Sequence, residues 1–278
     1  MYGMAIAGDV TVRAECRERD AAEQRQRDQM PRPAGDERFF LAASWAMVAV
    51  VVAGFLTLWL RGISTFAAPW PVHVHAVAFM AWVGLFILQV TLATTGRVHL
   101  HRRLGWIGAT MLPVLLVLGS LILFRMMRAA AVPPFWTYAY FMTMNLVARI
   151  AFAELTAAAI RMRGQTQWHR RLIFCGMAAL VVTPVNRLTP DAVLAQFMSL
   201  PAALAILLFP IAGIVADWRR NRSVHPAWLW GLGVLLLSGA TTEIFGRSAI
   251  AGSWVKTVTA GSKGAEMDPF AQHLPPGP

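Results

Sequence analysis

Charge is scarce in this chain: 14% of residues are charged against 57% hydrophobic, a balance that excludes an ordinary soluble globular domain. Cysteine is scarcer still. Cys16 stands in a charged N-terminal stretch and Cys175 in an apolar one, so the pair predicts no disulfide, and no CxxC or zinc-ligand spacing occurs. There is also no phosphate-binding glycine loop and no nucleophile paired with a base, which leaves hydrolase and kinase chemistry without support. Whether the chain is an enzyme is open at this level.

Long apolar runs are what the sequence has instead. A hydrocarbon core about 30 Å thick needs roughly 20 apolar residues per helical span. Such runs recur at about 39–60, 71–95, 103–124, 134–160, 168–189, 192–216 and 226–246, which predicts an all-α polytopic transmembrane helical bundle of about seven spans. Residues 1–38 read as a disordered cytoplasmic tail, 39–246 as the bundle, and 247–278 as a non-cytoplasmic, largely disordered tail. The formal charge of +11 does not imply a nucleic-acid partner, because the arginines sit in short loops between apolar runs. With the N-terminus inside, 17 Lys and Arg fall on the cytoplasmic side and 7 on the other, so the positive-inside rule predicts N-terminus in and C-terminus out. Trp59, Trp70, Trp168, Trp218, Trp228 and Trp254 near the run ends fit an interfacial aromatic belt, and Pro201 and Pro210 suggest kinks in the sixth span.

One motif repeats. His101-Arg102-Arg103-Leu104 with Gly108 opens the third span, and His169-Arg170-Arg171-Leu172 with Gly176 opens the fifth. Seven residues are nearly two helical turns, so each histidine shares a face with its glycine. Two readings follow. Facing helices can hold one haem iron between His101 and His169, with Arg102, Arg103, Arg170 or Arg171 near the propionates and the glycines leaving room for a flat ligand. Alternatively the arginines anchor the span ends to lipid headgroups, the histidines sit in water, and Gly108 and Gly176 serve close helix packing.

A second set of polar residues lies deeper. In the second span His75, Trp82 and Gln89 recur every seven residues, a stripe that points into the bundle, whereas His73 lies about 200° round from His75 and reads as interfacial. The fourth span carries Asn145 and Arg149 four apart on one face; an arginine at membrane depth is costly and implies a partner or a ligand. Glu154 is poorly placed to pair with it. Arg187 and Glu243, late in the fifth and seventh spans, are at a depth where they can meet His75 to hold a small anion or a quinone headgroup, or to form an interfacial ion pair.

Together HVHAVAFMAWVGLFILQ, GRVHLHRRLGWIG, WHRRLIFCGMAALVVTPVNRL and RRNRSVHPAWLWG resemble a widespread group of uncharacterised bacterial multi-pass membrane proteins, over roughly residues 70–255. That resemblance implies the bacterial inner (plasma) membrane and weight for His75, Gln89, His101, His169 and Arg187, and it implies no reaction. A more distant similarity is to the ascorbate-reducible cytochrome b family, in which paired helices ligate a haem on each side of the membrane. His101 and His169 would match the inner pair, and the outer pair has no counterpart, so one haem b at most is implied. The expected function is therefore a membrane redox component with one b-type haem that exchanges electrons with a quinone. The alternative is a binding or accessory protein whose polar interior holds a lipid or quinone headgroup, or that serves another membrane protein. A transporter would need a discontinuous helix, for which no signal is present.

Overall fold

The computed structural model describes residues 36–63 and 66–273. Among these residues the regular structure is nine α-helices and one 3-10 turn, with no strand. The helices are α1 (Asp36–Leu60), α2 (Trp70–Thr94), α3 (Val98–Arg128), α4 (Tyr138–Arg161), α5 (Thr166–Leu188), α6 (Asp191–Phe197), α7 (Leu200–Asn221), α8 (Pro226–Phe245) and α9 (Ala249–Thr259), and the turn is Lys263–Glu266. All but α6 and α9 are long and apolar enough to cross a bilayer, seven in total. The chain is a multi-pass membrane protein, an all-helical bundle.

Two boundaries differ from expectation. The sixth span does not begin near 192: α6 ends at Phe197, Met198 takes a positive φ of 53°, and a new helix starts at Leu200. Pro201 therefore sits in the first turn of α7, where its fixed φ and missing N–H suit a helix start, and it introduces no kink; Pro210 remains inside the helix. The stretch after 246 is not a disordered tail as far as residue 273. Ser248 caps α9, the Arg128 guanidinium donates to the carbonyls of Val258 and Ala260, and the Gln272 amide donates to those of Phe135 and Ala195. These are side-chain-to-backbone bonds, which a reading by composition does not register. The expected N-terminal tail lies outside the described residues apart from 36–38, which begin α1.

Helix α5 is central, packed on α4, α7 and α8, while α2 pairs with α3. Small residues set the close approaches, as expected where lipid removes the hydrophobic drive for helix association. A Cβ on Gly54 would lie 2.7 Å from the Pro184 carbonyl oxygen, and one on Gly231 would lie 2.4 Å from Cys175 Sγ. Cys175 is thus a packing residue, buried and free. The outer faces carry Leu208, Leu237 and Ile150, each more than 60% exposed, an apolar girdle that a bilayer covers.

Gly213 offers a direct test of this packing. A Cβ there would meet the Trp228 indole at 2.3 Å, and Trp228 is fully buried and stacked on Phe40. Gly213→Ala is expected to destabilise the purified protein by about 1–3 kcal/mol, the usual range for overpacking. Gly233→Ala, whose Cβ meets nothing within 4 Å, should leave the melting temperature unchanged or higher. Equal melting of the two variants would contradict the tight α7–α8 contact.

Candidate cofactor-binding site

The two copies of the repeat form equivalent structures. The α2–α3 hairpin returns His101 to the end of α2, where its Nδ1 bonds the Gln89 carbonyl at 3.2 Å. The α4–α5 hairpin returns His169 to the end of α4, where its Nδ1 bonds the Ala159 carbonyl at 2.8 Å. A bond to a carbonyl requires Nδ1 to carry the proton, so Nε2 of each ring is left as a lone-pair donor. Metal-ligating histidines usually donate their other ring N–H in this way, which fixes tautomer and orientation.

The rings also meet. Their centroids are 6.1 Å apart, with the planes crossed at 80°. Among the described residues no three His, Cys, Asp or Glu side chains converge as a metal cluster. Haem iron does not need one, because the macrocycle supplies four ligands and the protein two. Two histidines with Nε2 free are a donor set of the kind that group takes.

Neither glycine of the repeat leaves room for a flat ligand. A Cβ on Gly176 would stand 2.9 Å from Thr156 Oγ1, so Gly176 lets α4 and α5 pack closely, and a Cβ on Gly108 would already be in ordinary contact with Leu85 at 3.6 Å and Trp82 at 3.8 Å. The arginines divide as well. Arg102 is exposed beside His101, whereas Arg170 bonds the Gln167 side chain and lies over the Phe40 ring at 5.0 Å. Arg163, which the motif does not include, lies over the Trp106 ring at 5.5 Å near the same end.

Arg171 is not a headgroup anchor. It is 2% exposed and its Nη2 donates to both carboxylate oxygens of Asp217 at 2.8 Å, with Nε adding a third bond at 3.2 Å. Asp217 Oδ2 also accepts from Trp228 Nε1 at 3.0 Å and from the His225 backbone N–H at 3.3 Å. Trp228 is consequently a core residue, not part of the aromatic belt, while Trp59, Trp70, Trp218 and Trp254 are exposed as a belt requires. Burial, then the charge of Arg171, holds His225 below the ordinary imidazole range, which keeps its Nδ1 free to accept the Ala227 N–H that caps α8. Asp217 was the residue to notice in the sequence, as an acid just inside the end of an apolar run.

Along α2 the stripe faces inward as its spacing predicts. Trp82 is buried, and His75 Nδ1, Trp82 Nε1 and both amide atoms of Gln89 are buried without a hydrogen bond to the protein. Arg149 Nη1 donates to the Gly119 carbonyl at 3.0 Å, while its Nε and Nη2 have no acceptor. Arg187 lies over the Phe55 ring at 4.3 Å, with Nη1 equally unsatisfied. Asn145 turns to its own helix, donating to the Phe141 carbonyl. Glu243 does not join His75 and Arg187: it accepts from the Tyr140 hydroxyl at 2.6 Å and from Arg247 at 2.9 Å. That places it beside a cavity of about 230 Å³ between α4, α5, α7 and α8, away from the α2 stripe. No family model matches this chain, and no curated protein and no solved structure matches it either.

Proposed function

We propose that the protein is a membrane redox component that holds one b-type haem between His101 and His169. The observation that carries this is the crossed histidine pair at 6.1 Å with both Nδ1 atoms tied to backbone carbonyls. Two histidines placed only to face headgroups need no matched carbonyls and no mutual spacing. When bound, the haem supplies one-electron transfer. The chain's own residues do the rest. His101 and His169 bind the iron, and the Gln89 and Ala159 carbonyls hold both rings in the tautomer that presents Nε2. Arg102 and Arg163 supply positive charge for the propionates at the arginine-rich end.

In this reading the arginine-rich end faces the cytoplasm of a bacterium across its inner membrane, as the charge bias supports. It also agrees with the similarity of the HRRL repeat to the inner histidine pair of ascorbate-reducible cytochromes b. The test is the haem content of the full chain, purified in detergent after expression with haem supply. About one extractable haem per chain is expected, since no CxxCH attachment motif is present. Two per chain, or none in a folded preparation, would contradict the assignment.

A further inference from the structure

We infer that the end of the bundle opposite the histidine pair contains a separate anion site, in which His75, Arg149 and Arg187 bind a ligand through an anionic oxygen. Arg149 and His75 converge on Gly119. A Cβ at that position would stand 3.3 Å from Arg149 Nη1 and 3.7 Å from His75 Cε1, so the glycine lets a guanidinium and an imidazole share one place against the α3 backbone. Arg187 reaches the same region through stacked rings, with its guanidinium over Phe55, Phe55 on Phe79 at 5.6 Å, and Phe79 beside His75 at 6.4 Å.

The chemistry required is set by what these groups have in common. Arg149 Nε and Nη2, Arg187 Nη1 and His75 Nδ1 are all buried and all without an acceptor in the protein. Guanidinium groups offer only donors. Among the described residues Glu243 is committed to Tyr140 and Arg247, Asp191 to Arg61, and Asp217 to Arg171. Glu154 is exposed. Two guanidinium charges at membrane depth without a counter-charge are costly, and an anionic oxygen held by several charge-assisted hydrogen bonds offsets that cost.

The site is distinct from the haem site. His101 and Gly119 are eighteen residues apart on α3, which is about 27 Å at 1.5 Å per residue. The inference therefore does not depend on haem. An anionic oxygen of this kind comes from a water-soluble carboxylic acid or from the phosphate of a lipid headgroup.

Thermal unfolding of the full chain in detergent distinguishes these sources. Malonate at constant ionic strength and a short-chain phosphatidylglycerol are titrated separately, with haem content recorded in each preparation. At least one probe is expected to raise the melting temperature saturably by several degrees. Malonate acting alone identifies a soluble acid, and the phospholipid acting alone a lipid headgroup. The shift should disappear in Arg149→Gln and in Arg187→Gln and persist in Arg61→Gln, whose arginine is exposed and paired with Asp191. If either arginine variant does not fold, His75→Gln serves in its place and should weaken the shift at least threefold. The inference is overturned if neither probe shifts the wild type, or if the shift survives undiminished in the site variants.

Discussion

Asp217→Asn is expected to destabilise the protein more than any other single change of similar size, by about 3–5 kcal/mol, because it leaves the buried Arg171 guanidinium without its counter-charge. Three hydrogen bonds from Arg171 and one from Trp228 converge on that carboxylate, and both members of the ion pair are at most 3% exposed. The asparagine amide retains one acceptor oxygen, enough for Trp228 but not for the fork of the guanidinium. Loss should appear as a lower melting temperature and a poorer yield of monodisperse protein in detergent. A second comparison separates charge from packing: Arg171→Met combined with Asp217→Leu removes both charges at similar volume and should be clearly more stable than either single substitution. If the double variant is as unstable as Asp217→Asn, the pair is not held by mutual charge compensation.

The clamp also shows where sequence reasoning stops. Seven apolar runs of bilayer length are legible because composition and length fix them, and the inward stripe of His75, Trp82 and Gln89 is legible because a helix repeats nearly every seven residues. The break at Met198 is not, since α6 and α7 together form one hydrophobic run and only a backbone turn at a positive φ divides them. Arg170 and Arg171 are neighbours in the same motif, yet one lies over Phe40 and the other closes a buried ion pair with a residue 46 positions away. Pairing over that range depends on which helices pack together, and no local pattern encodes it. Glu243 illustrates the same limit in reverse: its depth resembles that of His75, but the helix rotation turns it to Tyr140. The repeat itself was informative beyond its glycines, because each histidine closes its hairpin onto the carbonyl of the preceding helix in the same manner.

The second large effect concerns those histidines. His101→Ala and His169→Ala are each expected to remove bound haem almost completely, because each histidine would supply one of the two protein ligands that hold it. His73→Ala should leave the haem content unchanged. The His73 ring bonds the Ala68 carbonyl and stacks on Phe66 at the other end of the bundle. His101→Met provides a milder test, since a thioether can still ligate haem iron: haem should be retained in part, with a higher reduction potential. Full haem content in either alanine variant would remove that histidine from the ligand set. Equal loss in all three would indicate a general folding defect, which the melting temperatures of the same preparations detect.

The most direct measurement is the absorbance spectrum of the full chain, purified in detergent after expression with haem supply, before and after dithionite. Paired histidine ligation is expected to give sharp, six-coordinate low-spin b-type bands in the reduced protein, at about one haem per chain and unaltered by carbon monoxide. A folded, monodisperse preparation that lacks those bands would contradict the assignment of His101 and His169 as haem ligands.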